Sequence, residues 1–470
     1  MTSLTRGEWA GKRVTVMGLG TRAGGVGVAR YLAGAGAYVT VTDLRTEAEL
    51  AEPIAELDGL DIRFVLGRHE QSDFTGADVV VRNPGVLRTN PYLVLARDAG
   101  ATIEMEMSMF LRVCPAPVIG ITGTKGKSST SALCDEMLRH WRPGTVAAGN
   151  MGVSAVSALA GITPDTPVVL ELSSWQLEGM DESKRGPHIA VITNISEDHL
   201  DTYRDFADYA STKRSIGHHL EKQDYIVLNA DDPEVAEAAD ETAAQVIWIG
   251  AGHLPGSGVR VTHGWLESSI PGAECRVAIP DNPALRGAHQ HMNAACAMAA
   301  VLLRGTKSED AEAGLAAFAG VPNRMEVVAE IDGVLFVNDT AATAPAAAIA
   351  SLRAFPDRPI HLISGGADKR LDCGPLAREI ALRASTVTLL DGTVTASLAE
   401  LVMAAGMRAI GPMTFNMVAA VDAASASARA GDVVLLSPGC ASFGLFRDEF
   451  DRGQQFREAV LARGIDEAHA

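Results

Sequence analysis

The segment GITGTKGKSS at residues 120–129 constrains the fold of this chain more than any other stretch. A short apolar run precedes it, and the sequence from 128 to 141 has a helical pattern. A glycine-rich loop between a strand and a helix lets backbone N–H groups approach phosphate oxygens, and the helix dipole favours their negative charge. The segment therefore predicts a phosphate-binding loop within an α/β domain, and ATP as its ligand.

Residue types within the loop indicate separate roles. The ammonium group of Lys127 is expected to neutralise the β- and γ-phosphates, and the hydroxyl of Ser128 is expected to hold Mg²⁺. A glycine-rich turn without chemical meaning is the alternative, which the strand–loop–helix context disfavours. The predicted ATP contacts of the loop are Gly123, Thr124, Lys125, Gly126, Lys127, Ser128 and Ser129.

Length, charge and cysteine usage limit the possible classes of protein. A chain of 470 residues exceeds what one hydrophobic core supports, so two to four domains are expected. The net charge of −18 argues against a nucleic-acid partner, and six scattered cysteines without a CxxC pair argue against a disulfide framework or a zinc site. Because no signal-like core and no apolar run of about 18 residues is present, we expect a cytoplasmic protein without a membrane partner. We also expect a monomer.

The first block of the chain, residues 12–44, has the pattern strand, glycine-rich turn, helix, strand. Its glycines depart from the GxGxxG spacing, so a UDP-type or other nucleotide is favoured over NAD. A later strand-like run ends in a Pro-Gly turn, and ligands bind at such strand ends in parallel sheets. The predicted contacts of a nucleotide substrate are Gly20, Asp43 and Asn83.

Two further blocks alternate apolar strands with helical stretches, which favours parallel sheets covered by helices. A small antiparallel element is expected within 252–286, and the third block opens with a hairpin around an Asp-Gly turn. The prediction is an α/β chain of three domains. These are a Rossmann-like domain at 1–113, a central ATP-binding P-loop domain with a parallel sheet at 114–321, and a Rossmann-like α/β domain at 322–470.

Side chains at predicted strand ends are candidates for chemistry in the central block. Glu171 ends an apolar strand, where a carboxylate can bind Mg²⁺ or face solvent. His199 lies in an acidic loop after the next strand and suits a metal ligand, a general base or a structural role. Lys213 follows on a helix, where residue type alone indicates a solvated charge.

More candidates follow toward the end of the chain. Asn293, at a helix start, suits an adenine contact, and Arg324 offers a guanidinium fork for a phosphate. Asp339 follows a strand and suits ribose hydroxyls or a metal. Lys369 suits a carboxylate, and Ser442 lies in another strand-end loop.

Several motifs occur together in one order across residues 12–460. They are TGTKGKS, ELSSWQLE, NISEDHLD, a lysine on the following helix, HQHMN, PNRME and a strand that ends in ND. In this order they resemble the Mur ligase family, which makes the peptide of peptidoglycan. ELSSWQLE, GGADK and SPGCASF resemble the members that add D-glutamate to UDP-N-acetylmuramoyl-L-alanine.

The resemblance implies a reaction and its cofactors. ATP would phosphorylate the free carboxylate of UDP-N-acetylmuramoyl-L-alanine, and the amine of glutamate would attack the acyl phosphate. Two Mg²⁺ ions are implied, together with a carbamylated lysine at Lys213 that turns a cation into a metal-binding anion. The implied catalytic residues are Lys127, His199 and Lys213. The implied metal-binding positions are Ser128, Glu171, His199 and the carbamate of Lys213, and the further ATP contacts are Asn293, Arg324 and Asp339.

The resemblance also assigns residues to the two other substrates. Asn150 matches an asparagine that contacts the nucleotide substrate. The positions implied for the incoming glutamate are Thr343, Lys369, Ser442 and Phe450.

Departures from the family pattern cluster at the uridine and glutamate ends. Leu44 replaces a small polar residue, Ala341 replaces a lysine, and the phenylalanine of the glutamate pocket is shifted by one, with Glu449 in its place and Phe450 next. A ligase that adds L-glutamate or another amino acid to the same nucleotide is therefore the main alternative. The uridine-type first block argues against folylpolyglutamate synthase, which shares the ATP core. A P-loop phosphotransferase with a hydroxyl acceptor stays open, and the intact ATP-site motifs disfavour a silent binding protein.

Overall fold

The computed structural model describes residues 8–20, 23–150, 154–198, 202–369 and 371–467. Within them the chain forms three sheets and two compact units. The first unit holds the residues up to Pro280 together with Ala288–Ala317, and the second holds Asp281–Gly287 and the residues from Phe318 onward. The predicted α/β class, with three sheets dominated by parallel strands, is confirmed.

The first sheet is built from five short strands whose side chains are largely buried. They are β1 (Arg13–Met17), β2 (Tyr38–Asp43), β3 (Ile62–Leu66), β4 (Val79–Arg82) and β5 (Thr102–Glu104). All pair in parallel in the order β3-β2-β1-β4-β5, so the order reverses between β1 and β4, where ligands bind in such sheets. The accompanying helices are α1 (Ala23–Gly34), α2 (Ala51–Ala55), α3 (Gln71–Thr75), α4 (Pro91–Asp98) and α5 (Glu106–Val113).

The second sheet has nine strands and belongs to the same unit. They are β6 (Val118–Thr122), β7 (Val146–Gly149), β8 (Val168–Glu171), β9 (Ile189–Ile192), β10 (Tyr225–Asn229), β11 (Gln245–Gly250), β12 (Gly258–Thr262), β13 (Trp265–Ser268) and β14 (Cys275–Ala278). The order is β14-β13-β12-β11-β10-β9-β6-β8-β7. The last three strands in chain order pair antiparallel, which confirms the small element expected within 252–286.

The helices of this sheet include the one that follows the glycine-rich segment. They are α6 (Lys127–Trp141), α7 (Ala155–Ala158), α8 (Ser174–Glu182), α9 (Phe206–Arg214), α10 (Pro233–Ala236), α11 (Ala288–Leu303) and α12 (Ser308–Ala317). Strand β6 lies between β8 and β9, so the loop between β6 and α6 emerges at the carboxyl ends of three parallel strands. This position places the ends of β8 and β9 beside the glycine-rich loop.

The second unit contains the third sheet, with β15 (Glu326–Ile331), β16 (Val334–Asn338), β17 (Ile360–Ser364), β18 (Ala384–Leu390), β19 (Ile410–Thr414) and β20 (Val433–Leu436). Its order is β15-β16-β20-β17-β18-β19, and only β15 is antiparallel to its neighbour. Asp332 and Gly333 join β15 to β16 with φ values of 50° and 75°, which confirms the predicted Asp-Gly hairpin. The helices are α13 (Pro345–Arg353), α14 (Gly374–Arg383), α15 (Thr395–Ala404), α16 (Met417–Ser425) and α17 (Glu449–Glu467).

Each sheet buries its aliphatic strand residues under the covering helices. In the part of the chain that the structure describes, we find no helix with the length and apolar character needed to cross a bilayer.

Candidate active site

The glycine-rich loop has a backbone that excludes side chains at two positions. Gly123 has a φ of 146° and Gly126 has a φ of 84°, both in the region that favours glycine. A Cβ atom at 123 would lie 2.0 Å from Thr193 Oγ1, and one at 126 would lie 2.3 Å from Asn293 Oδ1. Neighbouring side chains therefore pack directly against the loop backbone.

The loop is fixed by hydrogen bonds to the segment that follows β9. The hydroxyl of Thr124 donates to the carbonyl of Ser196 at 3.1 Å, and the N–H of Lys125 donates to Asn194 Oδ1 at 2.9 Å. The Nζ atom of Lys127 donates to the carbonyls of Gly123 and Thr124, at 2.9 and 3.0 Å. The predicted loop residues thus form one ordered turn at the start of α6, which also carries Ser128 and Ser129.

Glu171 ends β8 with its carboxylate inside the protein, so the solvent-facing alternative is wrong. Its side chain is 2% exposed, and its backbone pairs in register with Ile121, next to the start of the loop. Oε1 accepts a hydrogen bond from Asn150 Nδ2 at 2.8 Å, whereas Oε2 is buried without a hydrogen-bond partner among the described residues. An unsatisfied buried carboxylate oxygen is costly, and a divalent cation would satisfy it.

Lys213, on α9, is buried as well, which corrects the expectation of a solvated charge drawn from residue type. The residue is 2% exposed, and its Nζ atom lies 3.5 Å from Thr122 Oγ1 and 5.2 Å from the ring centre of Tyr209. Burial, aided by the positive charge of Lys127, lowers the pKa of Lys213 well below its ordinary value. Burial therefore shifts this side chain toward the neutral amine, the form that can react with an electrophile.

His199, the remaining residue assigned to the metal site, lies outside the described residues. Within the described ranges, no group of three or more His, Cys, Asp or Glu side chains forms a cluster that could hold a metal. Oxygen-bearing side chains on the strand ends and the adjoining loop are the buried carboxylate of Glu171, at the end of β8, and the hydroxyl groups of Thr122, at the end of β6, and Ser128, at the start of α6. Oxygen donors are those that Mg²⁺ prefers, so the residues present fit this ion.

Two cavities adjoin the carboxyl ends of β1 and β4. One, of about 240 Å³, is lined by Gly18, Asn83 and Asn150, and the other, of about 540 Å³, is lined by Gly20, Asp43 and Asn83. The four residues predicted to bind the nucleotide substrate therefore lie on these cavities. Asn150 also contacts Glu171, so it links the smaller cavity to the buried carboxylate.

Asp43 fixes the glycine-rich turn of the first sheet. Its two carboxylate oxygens accept hydrogen bonds from the backbone N–H groups of Gly20, at 3.2 Å, and Arg45, at 3.0 Å. The carboxylate thus binds protein donors, which gives it a structural role in shaping the larger cavity.

The remaining ATP-site predictions have different environments. Asn293, on α11, is buried against Gly126 and donates to Gln290 Oε1 at 2.9 Å, so it lies at the phosphate loop. In the second unit, Arg324 is exposed. Asp339 is buried there and accepts hydrogen bonds from the hydroxyls of Ser351 and Ser437 and from the N–H of Met325.

The residues assigned to glutamate lie on loops of the second unit. Lys369 Nζ donates to Thr343 Oγ1 at 2.8 Å, so the structure brings these two together. Ser442 is buried in the loop after β20, whereas Phe450, on α17, is 54% exposed. Sequence reasoning passed over two fully buried arginines, Arg82 and Arg452, because no local signal separates them from ordinary solvated arginines.

Models of three protein domains match the chain in order. A Mur ligase MurD-like N-terminal domain matches residues 12–104, a Mur ligase middle domain matches 121–301, and a Mur ligase glutamate ligase domain matches 323–440. A protein of Roseiflexus sp. is 47% identical over 467 residues, which cover 96% of this chain and 99% of that protein. A protein of Geobacter metallireducens is 39% identical over 98% of this chain and 99% of its own length. Both carry the name UDP-N-acetylmuramoylalanine–D-glutamate ligase.

Solved structures share the fold at lower sequence identity. UDP-N-acetylmuramate-alanine ligase MurC of Thermotoga maritima is 19% identical with a TM-score of 0.60, covering 96% of this chain and all of that chain. MurF ligase of the same organism, solved in complex with ADP, is 19% identical with a TM-score of 0.57, covering 98% and 97%. Because the sequence identity to full-length relatives is high and all three domain models match in order, this chain belongs to the Mur ligase family.

Proposed function

We propose that this chain is an ATP-dependent ligase that joins D-glutamate to UDP-N-acetylmuramoyl-L-alanine and releases ADP and phosphate. The observation that carries the proposal is the buried, half-satisfied carboxylate of Glu171, next to the glycine-rich loop and in a chain 47% identical to a protein named for this reaction. A site of this kind suits a reaction in which charged phosphate groups are brought together with a metal ion.

The proposed reaction proceeds in two steps. A carboxylate oxygen of the L-alanine attacks the γ-phosphorus of ATP, which forms an acyl phosphate and expels ADP. The amine nitrogen of glutamate then attacks the acyl carbon, the carbon–oxygen bond to phosphate breaks, and the nitrogen loses a proton as the amide forms. Phosphorylation is needed because a carboxylate does not accept an amine at neutral pH.

The phosphate chemistry is assigned to the central sheet. Lys127 and the backbone N–H groups of the loop at 123–129 would bind the phosphates and orient them for attack. Ser128, Glu171 and His199 would hold Mg²⁺, which neutralises the crowded phosphate oxygens when bound. Two features support these roles. Hydrogen bonds hold the loop in one conformation, and Oε2 of Glu171 has no hydrogen-bond partner among the described residues.

A carbamate on Lys213 forms part of the proposal. The lysine nitrogen would attack carbon dioxide and lose a proton, which leaves a negatively charged group on a side chain that begins as an amine. Two features support this chemistry, namely the burial of the side chain and its lowered pKa, which shifts the nitrogen toward the neutral form. The carbamate would then supply oxygen ligands to Mg²⁺.

The remaining substrates are assigned to the strand-end loops. The nucleotide would bind Gly20, Asp43, Asn83 and Asn150, which lie on the two cavities of the first unit. The incoming amino acid would bind Thr343, Lys369, Ser442 and Phe450, for which the contact between Lys369 and Thr343 is the main support. Asn293, Arg324 and Asp339 are assigned to ATP on the resemblance to the family.

A second candidate is a ligase that adds L-glutamate or another amino acid to the same nucleotide. Ala341 in place of lysine and the exposed position of Phe450 are the observations that favour it. Both changes lie at the amino-acid end and leave the phosphate loop intact.

The test is phosphate release from ATP with UDP-N-acetylmuramoyl-L-alanine, measured with D-glutamate, with L-glutamate and without an amino acid. Release that needs D-glutamate supports the proposal, and release that needs L-glutamate supports the second candidate. Lys127→Ala serves as the control and is expected to abolish turnover. Equal release without any amino acid would instead indicate a phosphotransferase or an ATPase.

A further inference from the structure

Arg452 is a buried guanidinium that binds two strand-end loops of the second unit. It lies near the start of α17, and its side chain is 0% exposed. Nε donates to Thr340 Oγ1 at 2.8 Å, and Nη2 donates to the carbonyl of the same residue at 2.9 Å. Nη1 donates to the carbonyl of Cys440 at 3.3 Å.

These acceptors are all neutral. Among the described residues, no carboxylate lies within ion-pair distance of Arg452, whereas Arg457, five residues later on the same helix, pairs with Glu326. Burial lowers the pKa of Arg452 to about 10, which still leaves it charged at neutral pH. A buried charge whose hydrogen-bond acceptors are all neutral is costly. The carboxylate of Glu449, three residues earlier, acts on it electrostatically without an ion pair, so a further anion near these loops would stabilise it.

The two loops held by Arg452 carry residues assigned to the amino-acid substrate. Thr340 precedes Thr343 in the loop after β16, and Cys440 precedes Ser442 in the loop after β20. Because β16 and β20 are adjacent parallel strands, their loops emerge at the same edge of the sheet. Arg452 therefore fixes the spacing between the backbones of these loops.

A third loop is tied to the same place. The backbones of Ala367 and Ala441 exchange N–H to carbonyl hydrogen bonds at 2.9 and 3.1 Å. This bridge joins the loop that carries Lys369 to the loop that Arg452 binds. Lys369 in turn donates to Thr343, so three strand-end loops form one connected set.

We propose that Arg452 is a positioning residue for the amino-acid substrate, which holds the loops of Thr343 and Ser442 in register and provides an unpaired positive charge adjacent to them. The ligand class is an amino acid with a second carboxylate. This inference rests on the proposed ligase function and deepens it. It assigns the preference for an amino acid with a second carboxylate to Arg452, which makes no direct contact with that amino acid.

The experiment measures steady-state phosphate release by the full chain for wild type, Arg452→Gln and Arg452→Lys. Arg452→Gln is expected to raise the KM for D-glutamate at least tenfold, while the KM values for ATP and the nucleotide stay within about twofold of wild type. Arg452→Lys keeps the charge and is expected to recover part of the loss. A merely structural role would not separate the three KM values.

Arg457→Gln is the matched control, because it removes a guanidinium from the same helix that is already neutralised by Glu326. It is expected to leave all three KM values unchanged. If Arg452→Gln fails to fold, Thr340→Val provides a milder test, since it removes the hydroxyl that accepts from Nε and that itself donates to the carbonyl of Glu449 at 3.0 Å. The expected result is a two- to fivefold rise in the KM for D-glutamate alone.

The outcomes separate this inference from the function on which it rests. An unchanged KM for D-glutamate in both Arg452→Gln and Thr340→Val, with an active wild type, overturns the role of Arg452 and leaves the proposed function standing. A parallel rise of all three KM values also overturns it. If none of the supplied amino acids stimulates phosphate release by the wild type, both proposals are overturned together.

Discussion

Arg82 and Glu178 form an ion pair in which both side chains are buried, with Nη2 of the arginine 3.0 Å from Oε2 of the glutamate. The pair joins the end of β4 to α8, the helix that begins shortly after Glu171. Arg82 also donates to the carbonyl of Val86 at 2.8 Å and so fixes the turn that follows Asn83. One guanidinium thus connects a wall of the nucleotide cavity to the helix beside the proposed metal carboxylate.

Removal of one partner from this pair is expected to destabilise the fold. Glu178→Leu leaves the charge of Arg82 buried and unpaired, which should lower the free energy of unfolding by about 3–5 kcal/mol. The measurement is urea unfolding followed by circular dichroism. The double variant Arg82→Met/Glu178→Leu leaves no buried charge and is expected to be more stable than the single variant.

A second ion pair between the same parts of the unit provides the control. Arg97 and Glu182 are partly exposed, with Nε 3.0 Å from Oε1, so Glu182→Gln should cost no more than about 1 kcal/mol. Equal losses for Glu178→Leu and Glu182→Gln would contradict the importance of burial.

Glu171→Gln is expected to weaken the binding of Mg²⁺ and so to raise the Mg²⁺ concentration that activity requires. The amide can still accept the hydrogen bond from Asn150 but has no negative charge for the metal, so the Mg²⁺ concentration for half-maximal phosphate release should rise at least tenfold. Titration with MgCl₂ at fixed ATP gives this value. Glu182→Gln, on the surface of α8, should titrate like wild type, and a wild-type curve for Glu171→Gln would remove the metal assignment.

Lys213→Ala is expected to lose nearly all turnover and to regain part of it when formate, acetate or propionate is added. The reason is that a small carboxylate can occupy the space left by the side chain and supply the oxygens proposed for the carbamate. The readout is phosphate release as a function of carboxylate concentration. Lys127→Ala should show no such rescue, because a carboxylate cannot replace a phosphate-binding cation. Near-normal activity of Lys213→Ala without any addition would exclude the bridging role.

The buried carboxyl group of Asp339 is expected to stabilise the fold less as pH rises, the opposite of the usual effect of an aspartate whose pKa is lowered on folding. Its burial raises its pKa from an ordinary value of 3.8 to about 6, so between these values the folded state binds more protons than the unfolded state. The contribution of Asp339 to the free energy of unfolding should therefore fall as pH rises from about 4 to 6, by up to about 3 kcal/mol. Asp339→Asn cannot ionise and should gain in stability relative to wild type over this range.

Urea unfolding of both proteins between pH 4.5 and 7 measures this difference. Asp422→Asn, which changes an exposed carboxylate on α16, is the matched comparison and should stay parallel to wild type. A constant difference between Asp339→Asn and wild type across the range would show that the carboxylate does not ionise there.

Much of the fold could be predicted because local patterns and tertiary structure agree. A strand pattern followed by a glycine with positive φ occurs in three predicted segments, namely the unit at 12–44, the loop before α6 and the Asp-Gly hairpin. Four strands, β3, β5, β7 and β19, were not predicted, and the last two have a local reason. β7 has the sequence VAAG, whose small residues carry little strand signal, and β19 contains Gly411 and Pro412, which are tolerated only because it lies at the edge of the sheet.

The candidate site could be predicted only in part. Positions such as Glu171 followed from the rule that strand ends meet at one edge of a parallel sheet. The burial of Lys213 did not follow, because it depends on packing against Thr122, 91 residues earlier. The side-chain partners of Arg82 and Arg452, Glu178 and Thr340, lie 96 and 112 residues away in the chain, so no local pattern marks either guanidinium as buried.

The contact between Gly126 and Asn293 has an evolutionary consequence. A Cβ atom at 126 would collide with the amide of Asn293, more than 160 residues later in the chain, so position 126 can accept a side chain only if α11 changes and the backbone leaves its φ of 84°. Substitutions at the two positions should therefore be inherited together. Mutations near the start of α11 would then alter nucleotide affinity through the shape of the loop as well as through the contact proposed for Asn293, and a library that randomises the loop alone would sample few active sequences.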